Sequence, residues 1–241
     1  MRLANRKSLF TGMHRSGTSV VSNLACYACK KVLLDDPVWA VQSPTAAFEN
    51  SNDISEFLRY DAWKVPRLAP FADRVLSFYE DSAVVWILRD PLDVYSSILE
   101  RYRIFPKTSM LQFPELGISE GRREEVFSEA FKRYADALIE LLSRFPDRVF
   151  VVVYEDFFRQ KTEFIREVCE EFLGWNISRC ITDVQNIQYG PIRHKASNVK
   201  GPGRKYCDLD METHKKLCDI EKLYEDIVDI AGSKIKTKSP S

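Results

Sequence analysis

Short apolar runs alternate along this chain with segments in which apolar residues recur at helical spacing. Residues 8–11, 32–34, 84–88 and 149–153 predict strands, because unbroken runs of this length are typical of strands that a parallel sheet buries on both faces. Residues 123–145, 161–173 and 211–231 predict amphipathic helices, the last two ended by Gly174 and Gly232. This alternation predicts an α/β fold with a doubly wound sheet and a ligand at the carboxyl ends of its strands.

The first predicted strand leads into a glycine-rich loop with the sequence FTGMHRSGTS, residues 10–19. Gly12 and Gly17 keep the spacing of a Walker A loop, but Thr18 stands where that motif requires a lysine. Backbone amides and the following helix N-terminus still favour an anion at this turn. The loop therefore predicts an anion site without the usual apparatus for a nucleoside triphosphate and magnesium.

A second motif follows the strand at 84–88, with the sequence RDPLDVYSSILER. Arg89 ends the strand, and Asp90 and Pro91 suit the cap and first position of a helix. Ser97 and Arg101 are four positions apart and share one face of that helix. The three polar side chains beyond this strand predict a second phosphate site.

Together the two motifs resemble those of the sulfotransferases that use 3′-phosphoadenosine 5′-phosphosulfate (PAPS), and the resemblance covers most of the chain. It implies a three-layer α/β/α fold with a central parallel sheet, of the P-loop NTPase-like sulfotransferase type. It also implies that Arg89 and Ser97 hold the 3′-phosphate. The 5′-phosphosulfate would be held by Arg15, Ser16, Gly17, Thr18 and Ser19.

Three further segments complete the implied nucleotide site. The arginine in the loop, Arg101 and Tyr154 are similar to the carbohydrate, tyrosylprotein and bacterial branches of the family, and Tyr154 is expected near the adenine. The basic segment 193–206 resembles the third cofactor segment of the family. Its expected cofactor residues are Ser197, Lys200 and Arg204.

The resemblance also implies the catalytic groups. Lys64, in a KxP segment, would bridge the leaving phosphate and the moving sulfuryl group, and Arg15 would neutralise charge there, so no metal is required. The acceptor hydroxyl needs a base. Glu49 is the preferred base because it lies in an FEN stretch like that of bacterial and glycan relatives. The alternatives are Asp35, Asp36 and His14.

Composition sets the remaining expectations. The chain has 241 residues with 35 basic and 35 acidic side chains, which predicts one domain over 1–241 and no general attraction to nucleic acid. No apolar run approaches the length of a membrane span, and the first strand begins too early for a signal peptide, so a cytoplasmic enzyme is expected. Cys26 and Cys29 form a CxxC that is interpreted as buried thiols on the helix after the loop.

Three functions follow from these features. The first is transfer of sulfuryl from PAPS to a hydroxyl of a small-molecule or glycan acceptor, with release of 3′,5′-ADP. The second is a P-loop kinase, which would need a phosphate-binding lysine and a magnesium ligand. The third is a non-catalytic nucleotide-binding protein of the same fold. The irregular segment 104–121 is expected to be a lid or a loop that faces the acceptor.

Overall fold

A computed structural model describes residues 6–42, 44, 55, 58–104, 111–179, 188–189, 194–195 and 209–236. The centre of the protein is a five-stranded parallel sheet with the strand order β2-β3-β1-β4-β5. These strands are β1 Lys7–Thr11, β2 Leu33–Asp35, β3 Ala62–Lys64, β4 Ser82–Leu88 and β5 Val149–Val153. A separate antiparallel pair consists of β6 Gln188–Tyr189 and β7 His194–Lys195.

Helices connect the strands. The α-helices are α1 Thr18–Cys29, α2 Val38–Gln42, α3 Ala72–Phe78, α4 Pro91–Ile104, α5 Arg123–Arg144, α6 Tyr154–Arg159, α7 Lys161–Arg166 and α8 Met211–Lys236. Two 3₁₀ segments, Pro66–Phe71 and Pro114–Leu116, and a π-helical turn, Glu167–Phe172, complete the described helical structure.

The sheet has a buried core on each face, because successive side chains in a strand point to opposite sides. Leu9 and Trp86 belong to the core formed with α4, α5 and α8. Phe10 and Val85 belong to the other core, formed with α1, α7 and the π-helical turn. The predicted three-layer α/β fold with a parallel central sheet is therefore confirmed.

The order of the strands locates the site. From the central strand β1 the chain moves to β2 and β3 on one side and then to β4 and β5 on the other. The carboxyl ends of β1 and β4 therefore form the switch point at which open α/β sheets bind ligands. Both sequence motifs begin at these two ends.

Some predicted boundaries are wrong. The hydrophobic pattern does not predict β3, since three residues are too few to show a period. Strand β2 lies one residue later than the predicted 32–34. Gly232 does not end α8, which continues to Lys236, because this glycine does not adopt the left-handed conformation that ends a helix. The predicted helix 161–173 is found as α7 followed by the π-helical turn. Gly174 follows with a φ of 67°, as expected for a glycine after the end of a helix.

Candidate active site

The loop after β1 is shaped by two glycines with positive φ. A Cβ at Gly12 (φ 137°) would lie 2.3 Å from the carbonyl oxygen of Ile87, and one at Gly17 (φ 101°) would lie 2.3 Å from the ring of Tyr154. Only glycine fits these positions without displacement of its neighbours. Between them the Ser16 N–H donates to the carbonyl oxygen of Met13 at 3.1 Å, which closes the turn that leads into α1.

Arg89, at the end of β4, is buried and held from three directions. Its guanidinium donates to the carbonyl oxygen of Arg15 and to the carboxylate of Asp93, both at 3.2 Å. It also lies over the ring of Tyr154, with 4.8 Å between the Arg89 Cζ and the ring centroid. The strand-end arginine is therefore fixed against the glycine-rich loop, with its orientation set before any ligand arrives.

The helix after Arg89 is capped as its sequence predicts. The Asp90 carboxylate accepts from the N–H groups of Leu92 at 2.8 Å and Asp93 at 3.1 Å. The Asp90 N–H in turn donates to Glu155 at 3.1 Å, and the other oxygen of Glu155 accepts from the Tyr224 hydroxyl of α8 at 2.8 Å. One half-buried carboxylate thus joins the start of α4 to α8.

Arg15 connects the two motifs. Its Nε donates to the Ser97 hydroxyl at 3.1 Å. Removal from water lowers the pKa of Arg15, and the positive charges of Arg101 and Arg89 lower it further. Such effects require that the guanidinium groups of Arg101 and Arg89 both lie near that of Arg15. The predicted convergence of Arg89, Ser97 and Arg101 is thus present, and the loop arginine belongs to the same cluster.

Several buried polar atoms at this cluster make no hydrogen bond within the described residues. Two of them are the Ser16 hydroxyl oxygen and the Arg89 Nε. Buried donors are normally paired, and an unpaired one costs about 1–3 kcal/mol. A bound anion with several acceptor oxygens would satisfy such donors.

Tyr154 begins α6 directly after β5 and is buried against both motifs. Its ring lies over the Arg89 guanidinium and beneath Gly17. Burial raises the pKa of Tyr154, so its hydroxyl stays protonated at neutral pH. Tyr154 thus packs against both the glycine-rich loop and the Arg89 side chain.

Lys64 ends β3 beside the loop, since its neighbour across the sheet is Phe10 of β1. Its side chain is only 6% exposed and forms ion pairs with Asp35, at 2.7 Å, and with Asp36. A buried ammonium needs such counter-charges. The structure therefore brings Lys64 to the edge of the sheet that carries the loop, together with two of the alternative bases.

A buried carboxylate that the sequence did not predict lies beside His14 of the loop. Glu115, in the second 3₁₀ segment, accepts from the Tyr134 hydroxyl at 2.7 Å. His14 Nε2 lies 3.7 Å from one of its oxygens, and Arg67 Nε lies 3.9 Å from the other. Burial raises the pKa of Glu115. Its only signal in the sequence was a single glutamate among apolar residues, directly after a proline.

His14 is neutral in this environment. Removal from water and the positive charge of nearby Arg67 lower the pKa of His14 to about 3. An imidazole that binds a proton this weakly is a poor general base at neutral pH. The lowered pKa therefore counts against His14 as the base.

The segment that carries Glu115 is anchored to the protein. Phe113 is fully buried, and its backbone bonds with Ile118 in both directions. Arg133 of α5 donates to the carbonyl oxygen of Leu116 at 2.8 Å. The described part of the predicted lid, 111–121, is thus a fixed wall beside the loop.

Several predicted site residues lie outside the described residues, so their positions stay predictions. They are Glu49, Ser197, Lys200 and Arg204.

The CxxC prediction is confirmed, since Cys26 and Cys29 are both buried on α1. In the described ranges no group of three or more acidic, histidine or cysteine side chains is arranged to hold a metal ion. In the same part of the chain no helix is both long and apolar enough to span a membrane.

Known structures share this fold. A sulfotransferase from Alicyclobacillus acidocaldarius superposes with a TM-score of 0.60 at 13% identity, covering 93% of this chain and 94% of that one. The mouse sulfotransferase SULT7A1 complexed with PAP superposes at 0.52 and 12% identity, covering 94% and 90%. A sulfotransferase domain from the curacin biosynthetic pathway superposes at 0.51 and 12% identity, covering 88% and 96%. At these identities the likeness establishes the fold alone.

The assignment to a family rests on the sequence and not on these superpositions. No curated protein matches this chain. Residues 27–178 match the model of the sulfotransferase family, which is more than half of the chain. This matched range begins after the glycine-rich loop and includes the second motif, which starts at Arg89. The chain belongs to the sulfotransferase family and is a transferase.

Proposed function

We propose that this protein transfers a sulfuryl group from PAPS to an acceptor hydroxyl and releases 3′,5′-ADP. The acceptor in this proposal is a carbohydrate or another small molecule. The observation that carries the proposal is the convergence of Arg15, Arg89 and Ser97 between two strand ends. A nucleotide with phosphate at both its 3′ and 5′ positions presents two anionic groups to such a pair of sites.

The local chemistry supports this ligand. Gly12 and Gly17 remove the side chains that would block close approach to the loop. The Ser16 hydroxyl and the Arg89 Nε are buried donors that phosphate oxygens would satisfy. Asp93 and Tyr154 already fix the plane of the Arg89 guanidinium, so little side-chain freedom is lost on binding.

In the proposed reaction the sulfur–oxygen bond to the 5′-phosphate breaks as a new bond forms to the acceptor oxygen. Arg15, the loop amides and Lys64 would neutralise charge on the leaving phosphate and the sulfuryl oxygens. Because a sulfuryl group carries less charge than a phosphoryl group, fixed cations suffice in this scheme.

The acceptor proton passes to a carboxylate in this proposal. Glu49 is our first candidate for the base, on its sequence context. Asp36 is the second, and its contact with Lys64 supports it, because that contact puts a carboxylate beside the expected path of the sulfuryl group. Removal of a general base lowers the rate by about 10²-fold to 10⁴-fold.

The first experiment is a calorimetric titration with 3′,5′-ADP and with 5′-AMP, both with EDTA present. We expect at least about tenfold tighter binding of 3′,5′-ADP, since one charged hydrogen bond to phosphate contributes about 1.5–3 kcal/mol. Ser97→Ala should reduce this preference. Ser77→Ala is the matched control, because Ser77 is exposed and its hydroxyl donates to the backbone carbonyl oxygen of Asp73 within α3.

Equal affinity for the two nucleotides in the wild-type protein would contradict the proposed 3′-phosphate site. Binding that requires magnesium and prefers ATP would point to a kinase. If the preference is found, Glu49→Gln and Asp36→Asn identify the base in an acceptor screen with radiolabelled PAPS. The variant that loses turnover by about 10²-fold or more, while it still binds 3′,5′-ADP, marks the base.

A further inference from the structure

The ion pairs of Lys64 are unequal. Asp35 is only 19% exposed at its side chain, whereas the Asp36 side chain is 42% exposed. The two carboxylates come from the end of β2 and the residue after it, and both meet one ammonium. One carboxylate already balances the charge of Lys64. Asp36 is a second carboxylate on the same ammonium, at the place where an anionic ligand is expected, and Arg67 is its other positively charged neighbour.

The backbone at Asp36 is held in place, whereas its side chain can rotate. Asp36 has a φ of 45°, a left-handed conformation that costs most residues about 1–2 kcal/mol and that aspartate tolerates better than most. The Asp36 N–H donates to the carbonyl oxygen of Lys64 at 3.0 Å, which ties the turn to β3. The carboxylate can therefore leave Lys64 by rotation of its side chain, without movement of the strands.

A ligand with a negatively charged group at Lys64 competes with Asp36 for the same ammonium. Lys64 is nearly buried, so only its exposed side admits a ligand, and Asp36 is the more exposed of its two partners. Like charges placed side by side in such a site repel each other strongly. Asp36 must therefore withdraw, or the ligand must bind at a cost.

We propose that Asp36 is a gate on Lys64: in the free protein its carboxylate takes the place of the sulfuryl oxygens, and it withdraws when the sulfuryl donor binds. This inference rests on the proposed function, and it adds a step that couples donor binding to release of a carboxylate. Asp35, the less exposed partner, stays as the permanent counter-charge of Lys64. The released carboxylate is then free to interact with the acceptor only after the donor is in place.

The gate makes an unusual prediction, namely that loss of a site residue strengthens binding. Asp36→Asn keeps the shape of the side chain and suits a left-handed backbone, but it removes the competing charge. We expect the Kd of PAPS, measured calorimetrically without acceptor, to fall about tenfold. The Kd of 3′,5′-ADP should fall less, because that nucleotide has no sulfuryl group to compete with Asp36. Asp36→Gly removes the carboxylate in a second way that the φ of 45° also permits.

Asp73→Asn is the matched control, since Asp73 pairs with Arg144 on the surface. It should leave both affinities unchanged. Unchanged or weaker PAPS binding in both Asp36 variants would overturn the gate, and so would an equal gain for the two nucleotides. Failure of the wild-type protein to prefer 3′,5′-ADP over 5′-AMP would instead overturn the proposed function, so the two failures are distinct.

Discussion

Gly17 offers a direct test of how the loop and Tyr154 fit together. An alanine at this position would place its Cβ 2.3 Å from Cε2 and 2.4 Å from Cδ2 of the Tyr154 ring. Both distances are far inside van der Waals contact. Tyr154 cannot yield freely, because its ring is buried and covered by the Arg89 guanidinium.

Two costs add in Gly17→Ala. A φ of 101° is unfavourable for alanine by roughly 1–2 kcal/mol. Displacement of a packed ring costs a further 1–3 kcal/mol or so. We therefore expect the free energy of unfolding to fall by about 3 kcal/mol, and binding of 3′,5′-ADP to weaken because Tyr154 carries Arg89 with it.

Urea denaturation of the wild-type and variant proteins measures the first effect. Gly117→Ala is the matched control: Gly117 also has a positive φ, 69°, but a Cβ there meets nothing within 4 Å. It should show the conformational cost alone, about 1–2 kcal/mol. If Gly17→Ala destabilises the protein no more than Gly117→Ala does, the packing of Tyr154 against the loop has been misinterpreted.

Three further predictions concern the buried polar groups. Burial raises the pKa of Glu115, so the folded protein keeps this proton where the unfolded chain loses it, and stability falls as the pH rises from about 4.5 through the folded pKa. Glu115→Gln should remove the contribution of this carboxyl to the loss of stability, so its urea midpoint should change less between pH 4.5 and pH 7.5 than that of the wild-type protein. The same change in both proteins would contradict this prediction. Tyr224→Phe should lower stability by about 1–2 kcal/mol in the same assay, since it leaves an oxygen of Glu155 without its donor, and no change would contradict that bond. Arg89→Lys should abolish the preference for 3′,5′-ADP despite its retained charge, because lysine lacks the planar group that stacks on Tyr154; a retained preference in calorimetry would show that charge alone is sufficient.

The sequence predicted the long elements of the fold well, because their periods extend over many residues. Helix α5 was expected at 123–145 and is found at Arg123–Arg144, and the expected strand at 149–153 is β5 as predicted. Strand β3 was missed since three residues carry no period, and only its pairing with β1 and β2 defines it. Short elements of this kind depend on tertiary contacts that a single sequence does not display.

The candidate site, like the fold, has parts that the sequence predicts and parts that it does not. Motifs with fixed local spacing, such as Arg89 to Ser97, predicted that these side chains lie near one another, and Arg15 joins them in the folded protein. Glu115 was not anticipated, because its partners Tyr134, His14 and Arg67 are distant in the sequence and meet only in the folded protein. Contacts between side chains on different elements leave no spacing pattern to recognise.

The bond from Glu155 to Tyr224 has a consequence for the order in which the protein is completed during synthesis. Glu155 supports the helix that follows Arg89, but its second partner belongs to α8, which the ribosome makes more than sixty residues later. A growing chain that has already produced both sequence motifs still lacks the hydrogen-bond donor of one Glu155 oxygen. The contacts that support the start of the helix after Arg89 are therefore complete only when α8 has been made.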